Sequence, residues 1–245
     1  MSNKVALITG AAHRIGATVA RTLHAEGMNI VIHYRGSREG ALALQQELNG
    51  IRPESVVLVQ ADLLETKKLT SLAKEAHKAW GRLDVLVNNA STFFPTPVGK
   101  IDEKQWDDLM GSNLKAPLFL SQAVAPFLKA NHGCIVNIVD IHADRPLKRY
   151  PLYSMAKAGL VMMTKSLACE LGPEIRVNAV APGAILWPEE HDMDEVTKQR
   201  ILSRTFLKRQ GNAEDIANAV LFLVHDARYT SGHVLTVDGG RSLNS

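Results

Sequence analysis

The chain has no run of about 18 uncharged apolar residues, the least a membrane-spanning helix needs, so no span is expected. Its first ten residues pass straight into a β-branched strand pattern rather than a leader, and no signal peptide is expected either. Cysteine is scarce. Cys134, in a strand pattern, and Cys169, in a helical one, are too few for a disulfide framework and suit a reducing cytoplasm. Nine histidines stand at no metal-ligand spacing, so no metal site is expected. The net charge of +3 is spread along the chain without a basic run, which leaves no electrostatic footprint for nucleic acid. Internal repeats, low-complexity tracts and Ser/Gly/Pro linkers are also missing.

What is present is an alternation of strand and helix patterns from end to end. The stretches KVALITG, MNIVIHY, SVVLVQ, LDVLVNNA, GCIVNIVD, IRVNAVAP and HVLTVD read as seven short strands. Helical patterns separate them, among them ETKKLTSLAKEAHKAW and one long stretch, EKQWDDLMGSNLKAPLFLSQAVAPFLKA. With 245 residues and 46% apolar content, the chain can bury one large core. The expected fold is α/β: a single domain over residues 1–245, Rossmann-like, with a doubly wound seven-stranded parallel sheet flanked by helices. Ligands of such sheets bind beyond the carboxyl ends of the strands, where Gly10, Tyr34, Asp62, Asn88, Asp140 and Pro182 fall.

The first βαβ unit carries a glycine turn, GAAHRIG, between strand and amphipathic helix. Gly10 and Gly16 allow a tight turn and a close helix approach, so that the helix N-terminus can face a pyrophosphate. Arg14 occupies the place of the middle glycine in the dinucleotide fingerprint. After the second strand the chain reads His33-Tyr34-Arg35-Gly36-Ser37-Arg38, with no acid before Glu39. An acid there would hold a free ribose 2′-hydroxyl, whereas cations and a hydroxyl suit a 2′-phosphate; NADPH is therefore the expected cofactor.

Tyr153 and Lys157 lie one turn apart on one face of the helix pattern from Tyr150 to Leu171. A free phenol, with a pKa of about 10, is a poor acid near neutrality, and a nearby ammonium lowers that value. Asp140 stands 13 positions before Tyr153. It reads either as part of this proton-transfer group or as a helix cap or a salt-bridge partner of Arg145 or Lys157. A carboxylate beside the reacting atoms repels a developing oxyanion, which argues against a simple ketone. A ring imine, by contrast, needs protons delivered to nitrogen, and a carboxyl group can relay them.

Across its whole length the chain resembles the short-chain dehydrogenase/reductase family. The resemblance is carried by TGAAHRIG, by Asn88-Asn89-Ala90, by Tyr153-x-x-x-Lys157, by Pro182-Gly183 and by VDGG at residues 237–240. Within that family it is similar to the pteridine reductases, through the arginine in the glycine turn, HY-x-x-S at residues 33–37, NNASTFFPTP at residues 88–97, and Asp140 where most members have a catalytic serine. The resemblance implies a reductase that passes hydride from NADPH to a dihydropterin, with oxidised pterin, dihydrofolate and a side-chain variant such as dihydromonapterin as further substrates, and a homotetramer built on the helices around residues 102–131 and 150–171.

By the same resemblance Tyr153 is the proton donor, Lys157 holds the nicotinamide ribose, Asp140 assists proton delivery, and Asn113 holds a relay water. The cofactor falls to Gly10, His13, Arg14, Ile15, Gly16, His33, Tyr34, Arg35, Ser37, Asp62, Leu63, Asn89, Ala90, Ser91, Pro182 and Gly183, together with Tyr153 and Lys157. Phe93 stacks on the pterin, Ser91 and Arg14 bond its polar edge, and Trp187 reaches its side chain from a substrate loop at about residues 187–210. Ala184 to Pro188 depart from the family pattern, which places a threonine after Pro-Gly against the nicotinamide carboxamide. Two rival readings stand beside this one: an NADPH-dependent ketone reductase of the same family acting on a 3-oxoacyl thioester or similar carbonyl, and a non-catalytic dinucleotide-binding regulator.

Overall fold

The computed structural model describes residues 1, 3–186 and 194–244. Seven parallel strands form one sheet: β1 Val5–Ile8, β2 Asn29–Tyr34, β3 Val56–Gln60, β4 Val85–Asn88, β5 Cys134–Ile138, β6 Arg176–Pro182 and β7 Val234–Val237, in the order β3-β2-β1-β4-β5-β6-β7. The Rossmann-like α/β fold expected from the strand and helix alternation is the one observed. Strands β1, β4 and β5 are buried at every position, so they read as near-continuous apolar runs rather than alternating ones, broken only by Asn88 in β4 and Asn137 in β5.

Helices cover both faces. On one side α1 (Arg14–Ala25), α2 (Arg38–Ile51) and α8 (Ala213–His225) bury Val19, Leu23, Leu44, Leu48, Ile216 and Val220 against the sheet. On the other, α3 (Thr66–Lys78) and α5 (Ala116–Lys129) bury Leu69, Leu72, Leu120, Val124 and Leu128. Helix α6 (Pro151–Leu171) adds Leu160 and Met163 over β6. The long helical stretch read as one element between β4 and β5 is divided: α4 (Glu103–Met110) passes into a π-helical turn at residues 111–115 before α5 begins. That widened turn holds Asn113, fully buried. Its amide nitrogen donates back to the Leu109 carbonyl at 3.1 Å. Such turns recur at functional sites because they displace one side chain from the regular helical face. Helix α7 (Glu195–Ser203) follows β6.

Strand order reverses at β1 and β4, which opens a crevice at their carboxyl ends. Among the described residues no helix is long and apolar enough to cross a membrane, and no cluster of histidine, cysteine or carboxylate side chains could hold a metal ion. Both cysteines are free.

His33, at the end of β2, ties three strands together beneath the crevice. Its Nδ1 accepts from the Gly10 amide at 3.2 Å, which leaves Nε2 to donate to the Ala61 carbonyl at 3.1 Å and so selects a single neutral tautomer. Burial pushes its pKa down to about 4, below the ordinary value of 6.5, against smaller opposing contributions from Ala61 and Asp62. A base with a depressed folded-state pKa stabilises the fold fully above pH 6.5, and this contribution is lost as the pH falls towards 4. At pH 5 the loss from this one group amounts to about 2 kcal/mol. Urea unfolding at pH 7.5 and pH 5 checks it: the wild type loses this increment, and His33→Asn shows a shallower pH dependence.

Candidate active site

The turn after β1 is latched to the end of β4. The Thr9 hydroxyl accepts from the Asn89 and Ala90 amides, both at 3.0 Å, and the Asn89 side chain donates to the carbonyls of Thr9 at 2.9 Å and Gly10 at 3.1 Å. Gly10 adopts φ +62°, and a Cβ on Gly16 would stand 2.5 Å from the Gly10 oxygen. Both glycines are thus required, one by its backbone conformation and the other by close approach. Arg14, in the place of the middle glycine, retains the left-handed backbone with φ +53°. An L-residue pays roughly 1 kcal/mol for that conformation, and here it carries a guanidinium into the crevice, where Nη2 donates to the Leu186 carbonyl at 3.3 Å.

The crevice is a cavity of about 480 Å³. Gly10, residues 13–16, residues 33–35 with Ser37, Asp62 with Leu63, and residues 89–91 all line it, so the chain positions expected to hold a dinucleotide upstream of Asn113 come together in one place. Leu64, Thr92 and Ser112 line it too and escaped the sequence reading. Ser112 and Thr92 share a hydrogen bond of 2.6 Å, and their neighbours Asn113 and Ser91 were the only hint in the sequence. The donor set suits a phosphorylated dinucleotide. Arg14, Arg35 and Ser37 supply cations and a hydroxyl, Asp62 is the sole acid among the described residues of the lining, and its Oδ1 is engaged by the Leu64 amide at 3.0 Å. His13 and Ser37 stand at the N-caps of α1 and α2 without capping them, which leaves both side chains to the cavity. Pro182 and Gly183 lie apart from this lining. Gly183 donates to the Val237 carbonyl at 3.0 Å, and a Cβ on it would come within 2.6 Å of Asp238, so its glycine is demanded by the residue that follows β7.

Beyond β5 the proton-transfer residues converge. The Tyr153 hydroxyl donates to Asp140 Oδ2 at 2.8 Å, while Asp140 Oδ1 accepts from the His142 amide at 2.8 Å. Asp140 therefore caps the 3₁₀ turn at residues 141–143 and also receives the catalytic-type phenol. It forms no ion pair with Arg145 or Lys157. Lys157 is buried, donates to the Ile138 carbonyl at 2.9 Å, and lies over the Tyr153 ring at 5.6 Å from its centroid. Burial lowers its pKa to about 8, with Asp140 opposing. Tyr153 departs from the expectation of a lowered pKa. Burial first, then the Asp140 charge and hydrogen bond, push it well above the ordinary phenol range. The reason is geometric: the ammonium faces the ring and a main-chain carbonyl, and the carboxylate faces the hydroxyl.

Asn113 is built into the wall of the site. Its Oδ1 accepts from the Ser91 hydroxyl at 2.6 Å and its Nδ2 donates to the Thr92 carbonyl at 3.0 Å, joining the π-helical turn to the loop after β4. Phe93, 49% exposed, stacks on Tyr150 with ring centroids 4.5 Å apart and planes 9° from parallel, and meets Tyr153 edge-on at 4.8 Å. Tyr150 was missed in the sequence because it immediately precedes α6 and has no motif of its own. Trp187 and the first part of the expected substrate loop lie outside the described residues. A second cavity, of about 400 Å³, sits beyond β6 and β7 and is lined by neither Asp140 nor Tyr153.

Comparison with known proteins agrees with this arrangement. Residues 10–242 match the family model described as enoyl-(acyl carrier protein) reductase. The chain is 37% identical to pteridine reductase 1 of Leishmania tarentolae, over 98% of this chain and 96% of that protein. It is 36% identical to the 3-oxoacyl-[acyl-carrier-protein] reductase FabG of Staphylococcus epidermidis, over 97% of this chain and 98% of the relative. A putative ketoacyl reductase 2 of the granaticin polyketide synthase of Streptomyces violaceoruber is 36% identical over 98% and 96% of the two chains. With a family match over nearly the whole chain on a seven-stranded parallel sheet, the protein belongs to the short-chain dehydrogenase/reductase family of NAD(P)H-dependent oxidoreductases.

Proposed function

We propose that the enzyme is an NADPH-dependent pteridine reductase that converts a dihydropterin to its tetrahydro form. The observation that supports this reading over ketone reduction is the 2.8 Å hydrogen bond from the Tyr153 hydroxyl to Asp140. A carboxylate within reach of the reacting atoms opposes the negative charge that builds on a ketone oxygen. It favours a substrate whose reduced atom is bonded to a nitrogen that takes up a proton.

NADPH, when bound, supplies the hydride. Arg14, Arg35 and Ser37 provide the cations and hydroxyl that suit its 2′-phosphate, and Gly10 and Gly16 provide the close backbone approach. Tyr153 stays protonated at neutral pH because burial and Asp140 raise its pKa, which keeps the donor loaded before reduction. As the ring carbon is reduced, the adjoining nitrogen draws a proton from the Tyr153–Asp140 pair, and the carboxyl group relays a replacement from solvent. Lys157, held on the Ile138 carbonyl, fixes the Tyr153 ring from its face and adds positive charge beneath it. Ser91 and Asn113 orient the loop after β4 that carries Phe93. We assign the enzyme to the cytoplasm, in keeping with two unpaired cysteines, and to a homotetramer. The exposed Leu118 and Phe119 on α5 and Met155 and Met162 on α6 support that assembly, because apolar side chains on neighbouring helices form a surface that a second copy can cover.

Phe93 offers one face to the substrate because Tyr150 occupies the other. Stacked pairs of this kind contribute on the order of 1 kcal/mol beyond their buried area.

Initial-rate loss of NADPH absorbance with dihydrobiopterin and a 3-oxoacyl thioester in parallel tests the function. The pterin is expected to turn over, NADH to be a poor substitute, and Asp140→Ser to lower pterin turnover roughly 100-fold. Turnover of the thioester alone sinks the pterin reading and leaves the ketone reductase in its place. Tyr150→Leu is expected to raise the pterin KM about fivefold, with Tyr150→Phe restoring it, because only the ring face is used. Light scattering after size exclusion is expected to find four chains per particle, and Met155→Glu combined with Met162→Glu to reduce that number.

A further inference from the structure

The chain after β7 makes a tight turn whose carboxylate, Asp238, accepts from the Gly240 amide at 2.8 Å and the Ser242 amide at 2.6 Å. Gly239 and Gly240 take φ +63° and +79°, and a Cβ on Gly240 would come 2.9 Å from the Phe206 ring. Beyond it, the Asn244 side chain donates to the Arg204 carbonyl at 3.0 Å, and Arg145 donates to the Asn244 carbonyl. The turn is therefore fastened on one side to the end of α7 and on the other to the loop that follows Asp140. Arg241 opens its 3₁₀ segment, at residues 241–243.

The guanidinium of Arg241 has a buried Nη1 with no hydrogen-bond partner among the described residues. Its charged neighbours are Asp140 and Asp238, which attract it, and Arg204, which repels it. Neither carboxylate pairs with it. Asp140 is engaged by His142 and Tyr153, and Asp238 by its own turn. A buried guanidinium N–H without an acceptor, beside a second arginine, is costly to hold in a folded chain, and an oxyanion would satisfy both. Arg145, in the loop that follows Asp140, holds the Asn244 carbonyl, so the turn that carries Arg241 lies on the Asp140 side of the site, and Arg241 is not among the residues that line the dinucleotide cavity.

We propose that Arg241, with Arg204 beside it, binds an oxyanion carried on the side chain of the pterin, so that the enzyme prefers acidic pterins over neutral ones. This rests on the pteridine reductase reading. A carboxylate, as in dihydrofolate, and a phosphate ester, as in dihydroneopterin phosphate, present the same chemistry to a guanidinium fork.

Steady-state kinetics of the full-length enzyme with NADPH tests it on dihydrofolate, dihydroneopterin phosphate and the neutral dihydrobiopterin. In Arg241→Met, the ratio of kcat/KM for an anionic substrate to that for dihydrobiopterin is expected to fall at least tenfold, chiefly through KM, and Arg241→Lys to recover part of it. A fall confined to dihydrofolate identifies the carboxylate, and one confined to the phosphate ester identifies phosphate. In the wild type, raising the salt concentration is expected to raise KM for the preferred anion more than for dihydrobiopterin, a readout independent of how the variants fold. Ratios that fall less than tenfold for both anions, or a salt response shared by all three substrates, overturn the subsite and leave the pterin reading standing. If the wild type turns over none of the three, both fall together.

Discussion

The hydrogen bond from Tyr153 to Asp140 joins α6 to the end of β5, and much of the site's geometry is arranged around it. Asp140 can receive the phenol because its other oxygen is held by the His142 amide, which fixes the carboxylate at the strand end. Tyr153 can reach it because Lys157, one turn further along α6, is pinned to the Ile138 carbonyl of the same strand. Two residues of one helix thus grip the last turn of one strand, and the ammonium and carboxylate approach the tyrosine from different directions. Burial first, and then this division of charges, hold the phenol protonated even with a lysine nearby.

Around that bond the buried polar groups are paired with one another rather than with solvent. The Asn88 side chain donates to Asn137 at 2.8 Å, Asn137 donates to Thr164 at 2.9 Å, and Thr164 donates to the Leu160 carbonyl, so β4, β5 and α6 are linked through the core by side chains alone. Thr9 and Asn89 perform the same task between β1 and β4. Such networks fix the relative heights of neighbouring strand ends, because every buried donor without an acceptor is penalised. The cofactor turn, the Asn113 turn and the Tyr153 helix are in this way held in register with one another.

The fold was legible because a doubly wound sheet is written locally. Most strands are short apolar runs, the helices that cover the sheet bury residues at three- and four-residue spacing, and right-handed crossovers leave few alternatives. The cofactor crevice was legible for a related reason: Gly10 is favoured by its left-handed backbone and Gly16 is demanded by the close approach of the Gly10 carbonyl. The Asn113 turn was not, since a π-helical turn differs from an α-helical one by a single hydrogen-bond shift that the residues of GSNLK do not announce. Tyr150 and Arg241 were invisible for a different reason. Neither has a motif, and each matters only through a neighbour distant in the chain, Phe93 in one case and Asp140 in the other.

The sequence by itself determined the strand and helix order, the glycine turn, the cations that follow β2, and the presence of a tyrosine, a lysine and an unusual acid near one another. These depend on local backbone preferences and on residue chemistry, which do not need the folded chain. Tertiary structure alone decided which side of Tyr153 each charge would occupy, that His33 would be a neutral strap between strands, that Arg14 would keep a glycine's backbone conformation, and that the C-terminal turn would be fastened to the loop after Asp140. Those outcomes depend on direction and distance between elements far apart in the chain, and burial then sets the charge states that the composition leaves open.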